Sequence, residues 1–238
     1  MKFFTNNSND PYYNLALEEY VTRTAVGEVF LLWRNGPTVV IGRNQNPNDE
    51  LDVAAAREQN VNIARRMSGG GAVYHDLGNV NFSYISQNTA GFGDFMAFAR
   101  PVVAFLRSLG VEAEHIGNND IGVDGRKISG NAQYISGGNI LHHGTLLFDT
   151  DLQVLSGLLT PDPAKLENKG IASVRSRVAN IGEFTDMSRE EFWRRINEHF
   201  SAYEPFTAID EAAVRELRDS KYATDDWNFG QSPQFDRQ

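Results

Sequence analysis

The sequence predicts an α+β fold of mixed helix and strand content: a largely antiparallel sheet with helices packed on it. Three observations carry this. Many short β-rich runs are separated by tight turn signals, and only antiparallel strands can be joined by connections that short. Helical periodicity appears near the start, in the middle and near the end of the chain. The 238 residues are 41% hydrophobic and 22% charged, ordinary values for a chain that buries a real core. No repeat or low-complexity linker divides them, so residues 1–238 are expected to form one domain.

Taken in order, Asp10-Pro11 starts a helix, Asp as N-cap and Pro in the first turn, running through Leu17 to about Thr24. Val29 to Trp33 and Thr38 to Ile41 are β-rich, and Asn35-Gly36-Pro37 between them predicts a hairpin. Asp49 to Gln59 predicts one helix. Val61 to Ala64 is a short strand feeding a glycine run, after which Val73, Tyr74 and His75 are extended again. Asn79 to Ser86 alternates as a strand. Asp94 to Leu109 is helical, with Phe95, Phe98, Val102, Phe105, Leu106 and Leu109 on one broad face, the stripe of a buried helix. Asp120 to Asp124 and Lys127 to Ile135 flank Asp124-Gly125, a two-residue hairpin signal. Asn139 to Phe148 is a further strand. Helices are expected over Asp151 to Leu158, Ser188 to Ser201 and Asp210 to Ser220.

The bulk chemistry excludes several classes of function. A net charge of −9 argues against a partner held through a nucleic-acid backbone. The absence of cysteine removes disulfides, thiolate zinc sites and cysteine nucleophiles. No run approaches the ~18 apolar residues of a membrane span. The N-terminus turns polar at once, unlike a secretory leader, so the cytoplasm is the expected compartment.

The densest chemistry lies in Arg65-Arg66-Met67-Ser68-Gly69-Gly70-Gly71-Ala72-Val73-Tyr74-His75-Asp76. Glycines let a ligand approach the backbone, adjacent N–H groups can form an anion-binding nest, and arginine adds a forked cationic donor. The run reads as a holder for phosphate or carboxylate. It reads equally well as a flexible turn beside a solvated basic face. Neither a P-loop nor a dinucleotide-binding glycine motif is present.

Lys127, two residues past the Asp124-Gly125 turn, can project an ammonium into a cleft, although a solvated lysine is the commoner outcome at such a place. Asp120 in Asn118-Asn119-Asp120 can offer Mg²⁺ one oxygen, or the three residues can simply form a turn. His142 and His143 lie in a strand, so at most one of them faces a site, and a zinc centre is not expected. No nucleophile elbow supports a hydrolase triad. Trp33 fits a core or sheet-edge position, or the wall of a pocket for an apolar ligand tail.

Nine ordered segments together resemble the lipoate–protein ligase A family. They include Arg65 to Asn79, Leu15-Ala16-Leu17-Glu18-Glu19, Leu32-Trp33-Arg34-Asn35, Val39 to Pro47 and Asn119-Asp120. Gly125 to Gly130, His142 to Leu147, Lys169 to Val178 and Trp227 to Pro233 continue the likeness, which spans about residues 10 to 235. The resemblance implies a biotin/lipoyl ligase catalytic domain related to the cores of class II aminoacyl-tRNA synthetases. It implies that lipoate and Mg-ATP give lipoyl-AMP and pyrophosphate, and that a lysine of an acceptor then takes the lipoyl group as AMP leaves. Lipoyl domains of 2-oxoacid dehydrogenase E2 components and the glycine-cleavage H protein are the implied acceptors.

By the same resemblance ATP falls on Arg66, Gly71, Ala72, Val73, Tyr74 and Lys127. Lipoate falls on Trp33, Ser68, Gly69, Gly70, Lys127 and His143, catalysis on Lys127, and Mg²⁺ on Asp120. Octanoyltransferases and lipoyl amidotransferases of this fold work through a cysteine thioester, a route closed here. Biotin ligases carry a Gly-Arg-Gly-Arg-type loop in place of the one above. A cysteine-independent acyl transferase, or a module that binds lipoate or an adenylate without catalysis, are the remaining alternatives. Many lipoate ligases continue into a small accessory domain of roughly a hundred residues. The sequence is expected to lack it, being either part of a longer chain or the large subunit of a split ligase with a separate accessory chain.

Overall fold

The computed structural model describes residues 1–159 and 178–230. Among these, β1 (Lys2–Thr5) leads to α1 (Pro11–Thr24). The Asp10 carboxylate caps α1 by accepting from the N–H groups of Tyr12 and Tyr13. Then come β2 (Val29–Trp33), β3 (Thr38–Ile41), the short helices α2 (Pro47–Glu50) and α3 (Val53–Glu58), β4 (Asn62–Arg65), β5 (Val73–His75) and β6 (Asn79–Ser86). The second half holds α4 (Phe95–Ser108), β7 (Glu114–Ile116), β8 (Asp120–Val123), β9 (Arg126–Ser136), β10 (Asn139–Leu147) and α5 (Leu152–Leu158). It ends with α6 (Arg189–Phe200), β11 (Glu204–Pro205), α7 (Glu211–Leu217) and α8 (Asp225–Phe229).

Eight strands form one sheet in the order β11-β1-β2-β6-β10-β9-β8-β7, and β4-β3-β5 form a second. The large sheet is antiparallel except where β1 runs parallel to β2 and to β11. Alternation along the strands divides the core. Phe30, Leu32, Phe82 and Leu146 pack with Val102, Phe105 and Leu106 of α4 and with Phe192 and Ile196 of α6. Val29, Leu31, Trp33 and Ile85 pack on the opposite face with Leu15, Leu17 and Val21 of α1 and with Val214 of α7. Val39, Ile41, Ile63 and Tyr74 build a third core around the small sheet.

Several expectations need correction. Asn35-Gly36-Pro37 is not a hairpin turn: β2 pairs with β1 and β6, while β3 leaves for the small sheet and pairs with β4 and β5. Asn35 is instead fully buried and tied to Asn14 and His75. The helix expected over Asp49 to Gln59 is broken at Leu51-Asp52, because Leu51 is buried and bridges to Leu159 while Asp52 restarts the helix as its N-cap. The strand expected at Val61 to Ala64 runs from Asn62 to Arg65. The last expected helix stops at Leu217, widens into a π-type turn over Arg218–Tyr222, and is followed by α8 under a Thr224 cap. β1, β7 and β11 have no counterpart in the sequence reading. Of the family-like segments, Lys169 to Arg177 and Gln231 to Pro233 lie outside the described residues.

Two glycines should separate close approach from mere permissiveness. A Cβ on Gly78 would lie 2.0 Å from the Asp149 carbonyl oxygen, while one on Gly157, in α5, meets nothing within 4 Å. Gly78→Ala is therefore expected to destabilise by about 1–3 kcal/mol through forced backbone movement. Gly157→Ala should stabilise by up to about 1 kcal/mol through helix propensity. Urea midpoints at constant m-value read both signs.

His142 supplies a second test. It is fully buried on the α4 side of the sheet, stacked on Phe98 at 5.5 Å between centroids, with Nδ1 3.1 Å from the Gln133 amide nitrogen. Burial pulls its pKa down to about 3. The unfolded chain takes up this proton near pH 6.5 and the folded chain does not, so His142 lowers stability as pH falls from about 6.5 toward 3. Between pH 6.5 and 5 that amounts to about 2 kcal/mol. His142→Phe keeps the aromatic packing and should flatten this part of the stability–pH curve. An unchanged slope would show that the ring titrates freely.

Candidate functional site

The site is built on the α1-facing side of the large sheet. Register places Leu31, Ser83, His143 and Ala132 in one cross-strand row and Trp33, Asn81 and Thr145 in the next, all on one face. The cleft above these rows is lined by Trp33, Asn81, His143 and Thr145, by Gly69–Gly71, by Val73 and His75 of β5, and by Lys127. The predicted glycine loop, lysine, histidine and tryptophan thus meet in one cavity.

Strand alternation sends Arg65 and Arg66 in opposite directions. Arg65 donates to the carbonyls of Gly42, Arg43, Gln45, Trp227 and Asn228. Arg66 turns inward and donates from Nη1 to the Val40 carbonyl (3.0 Å), from Nη2 to the carbonyls of Gly69 and Gly71 (both 2.8 Å) and from Nε to Ser68 Oγ (3.1 Å). Burial lowers its pKa to about 10, partly offset by Glu18, so it stays charged at neutral pH. The loop is also pressed against the end of β3: a Cβ on Gly42 would lie 2.0 Å from the Gly70 carbonyl oxygen. Gly70 itself takes φ +98°, open to glycine at little cost.

Lys127 follows a turn in which Asp124 and Gly125 both have positive φ, 50° and 73°, as a tight hairpin requires. Its carbonyl accepts from Ala179 N at 2.8 Å, which fixes the backbone. The side chain lies over Gly130, where a Cβ would come within 2.8 Å of Nζ, and its ammonium pairs with Asp120 Oδ1 at 2.9 Å. A bulkier residue at position 130 would displace it.

The structure also fixes a histidine tautomer. Asn14 Nδ2 donates to Asn35 Oδ1, so the Asn35 amide group faces His75 Nδ1, which accepts. The proton of His75 sits on Nε2, buried and without a partner at the cleft wall. Burial holds this ring neutral, with a pKa lowered to about 3. Asn81 Nδ2 is a second unpartnered donor lining the same cleft.

Not every expected residue faces the cleft. Tyr74 points away from it into the small-sheet core beside Val39 and Ile41, and Ala72 packs on that core, so only their backbones can reach a ligand. The fully buried Ser68 side chain lies under the loop, bonded to His143 Nε2 at 2.7 Å. Of the histidine pair, His143 faces the cleft and His142 the opposite core. His75, Asn81 and Glu18 escaped the sequence reading. Alternation from Val73 could have flagged His75. Glu18 showed only as an acid after the apolar Leu15-Ala16-Leu17 and as part of a family-like segment, with no role attached.

The chain is similar to known proteins in sequence and in fold. Residues 10–201 match the lipoyl protein ligase A/B catalytic domain. The chain is 44% identical to lipoate–protein ligase LplJ of Bacillus subtilis, over 99% of this chain and 75% of that protein. It is 42% identical to lipoate–protein ligase 1 of Staphylococcus aureus, with the same shares covered. Among solved structures, a bi-partite lipoate protein ligase of Thermoplasma acidophilum, described with its E2 lipoyl domain, has a TM-score of 0.82 at 32% identity and covers 96% of each chain. A lipoate–protein ligase A bound with ATP has a TM-score of 0.80 at 30% identity, covering 96% of this chain and 98% of the other. The family match covers most of the chain and the fold is shared, and the chain belongs to the lipoate–protein ligase family.

Proposed function

We propose that the cleft binds lipoate and ATP side by side, forms lipoyl-AMP, and passes the lipoyl group to a lysine of an acceptor protein. The observation that carries this is the convergence of an ammonium, a backbone glycine loop and an aromatic wall on one cavity. Trp33 and Leu15 offer the apolar surface an acyl tail needs. The loop N–H groups offer donors to phosphate.

Arg66 acts on ATP mainly through the loop. Four of its five N–H donors already hold Val40, Ser68, Gly69 and Gly71, leaving one Nη1–H for a phosphate oxygen. Lys127 leaves Asp120 when two anions arrive, and lies between the lipoate carboxylate and the α-phosphate. A carboxylate oxygen attacks the α-phosphorus and the bond to pyrophosphate breaks, while the ammonium balances the charge gathering on the α-phosphate oxygens. In the second step an acceptor lysine amine attacks the acyl carbon, loses a proton and becomes an amide as AMP departs. Lys127 then donates to the acyl carbonyl.

Mg²⁺ would supply neutralisation of the phosphate charges, and Asp120 is the residue that would hold it. No cluster of three or more metal-binding side chains exists among the described residues. That suits an ion which takes one or two carboxylates and fills its shell with phosphate and water. Release of Lys127 frees the Asp120 carboxylate. E2 lipoyl domains are the proposed acceptors, the H protein a further one, and the cytoplasm the compartment. No helix among the described residues is long and apolar enough to cross a membrane.

Lys127→Ala should abolish both half-reactions with little change in thermal stability, since the side chain is partly exposed and, among the described residues, its ion pair is with Asp120. Gly130→Ala should mimic it, because the new methyl pushes the ammonium aside at small cost to the fold. Near-wild-type acceptor modification by either variant would remove Lys127 from catalysis.

Residues 1–238 are further proposed to act as one catalytic unit whose second half-reaction stands by itself. The loop, Lys127 and the cleft walls all precede residue 150, so bound lipoyl-AMP finds its contacts there. Adenylation depends more on expelling water, which an accessory domain accomplishes by closing over the site. Residues 1–238 are expected to modify a lipoyl domain from lipoyl-AMP far faster than from ATP and lipoate, and an accessory domain added in trans should restore the ATP-driven rate. Equal rates from both donors without it would show a self-sufficient ligase.

A further inference from the structure

Glu18 lies on α1, 2% exposed, and does not line the cleft. Its Oε1 nevertheless ends two chains of hydrogen bonds that begin at opposite parts of the site. In one, Trp33 Nε1 donates to Ser83 Oγ (3.0 Å) and Ser83 Oγ donates to Glu18 Oε1 (2.5 Å). In the other, Arg66 Nε donates to Ser68 Oγ (3.1 Å), Ser68 Oγ to His143 Nε2 (2.7 Å) and His143 Nδ1 to Glu18 Oε1 (2.9 Å).

The directions follow from donor chemistry. An indole and a guanidinium only donate, and a carboxylate only accepts. Ser83 must therefore pass its proton toward Glu18. His143 carries its proton on Nδ1, which leaves Nε2 to accept from Ser68. A proton on Nε2 as well would drive the Ser68 hydroxyl toward the Gly69 carbonyl, 3.5 Å away and at the limit of a hydrogen bond.

We infer that Glu18 is a positioning residue: one carboxylate oxygen fixes the aromatic wall of the acyl site and the glycine loop of the phosphate site relative to each other. Substrate contacts come from Trp33 and the loop, and Glu18 acts through them. Misplacement of reacting groups by a fraction of an ångström is costly in rate, so registering the two halves of the site has catalytic value. The inference rests on the proposed assignment of lipoate and ATP to this cleft.

The adjacent Glu19 provides an internal control. It is equally buried, but its partners are Arg23, Lys221 and Tyr222, none of which lines the cleft. Glu18→Gln keeps the size and removes the charge, and its amide can donate to His143 and reverse that arm. Ser83→Ala cuts only the arm to Trp33, and Ser68→Ala only the arm to the loop.

The test is calorimetric titration of the whole chain with lipoate and, separately, with ATP, together with ¹⁵N NMR of the His143 ring. Ser83→Ala is expected to weaken lipoate about three- to tenfold, the range of one ordinary hydrogen bond, and to leave ATP unchanged. Ser68→Ala loosens the loop and His143, which both ligands meet, and should weaken both, so the contrast with Ser83→Ala keeps the inference testable if Glu18→Gln does not fold. Glu18→Gln should weaken both ligands and move the ring proton from Nδ1 toward Nε2. Glu19→Gln should lower the melting temperature and leave both affinities alone.

Unchanged affinities in Glu18→Gln, or an equal loss of both in Glu19→Gln, would overturn the inference. So would a Ser83→Ala variant that weakens both ligands alike. A wild-type chain that binds neither ligand would overturn the functional reading beneath it.

Discussion

The site depends on burying two adjacent arginines at the end of β4. A guanidinium taken out of water is costly unless every side of it is hydrogen-bonded. Both arginines come close to that condition with backbone carbonyls, joined in Arg66 by the Ser68 hydroxyl, instead of carboxylates. Arg65 gathers the segment 42–45 and the carbonyls of Trp227 and Asn228, while Asn228 Oδ1 accepts from the Arg65 backbone N–H. Arg66 gathers the glycine loop. Carbonyl partners leave the positive charge unneutralised at short range, so the field of Arg66 remains available to an anion in the cleft. An Arg–carboxylate pair would have cancelled it.

That choice explains why the loop can be so rich in glycine and still hold a shape. Three glycines in a row lose much conformational entropy on ordering. Two Nη2 donors pinning Gly69 and Gly71, and the close contact of Gly70 with Gly42, are what offset the loss. Turning the loop carbonyls toward Arg66 leaves the N–H groups as the polar edge that an incoming phosphate can meet. The same geometry suits a chain of net charge −9 to an anionic ligand, because Arg66 and Lys127 put positive charge at the cleft itself.

What the sequence made legible, and what it hid, divides along physical lines. Local signals held wherever one element satisfies its own chemistry. The Asp10-Pro11 cap, the Asp124-Gly125 turn, the Phe98–Val102–Phe105 stripe and the long alternation of β6 are of this kind. Failures came where a distant partner decides. Asn35-Gly36-Pro37 has hairpin residues, yet burial of Asn35 between Asn14 and His75 sends the chain to another sheet. Leu51 breaks a helix because a core residue is needed there to meet Leu159. In the site, residue types with free charge stood out, as Lys127 and Arg66 did. Residues that act by hydrogen-bonding other side chains, such as Glu18 and Ser83, look like ordinary helix and strand positions until their partners are placed.

The pairing of Lys127 with Asp120 shows how such a site waits for its ligands. An unpaired ammonium at the edge of an apolar cleft would hold its own shell of water, which a ligand must then strip. The Asp120 carboxylate replaces that shell with one contact about a third exposed, so the pair is worth little net energy and separates readily. Two anions offer Lys127 more than one carboxylate can. In the proposed reaction, departure of the ammonium would leave the Asp120 carboxylate near the phosphates, where it would repel them unless a cation joined it. The proposed exchange of the lysine for a divalent ion at Asp120 would restore charge balance, and it would tie cation entry to nucleotide entry. A carboxylate with no resting partner would attract cations before ATP arrived, and one with an arginine partner would hold it too firmly to exchange. Lysine, a compact charge on a flexible stem, allows the exchange.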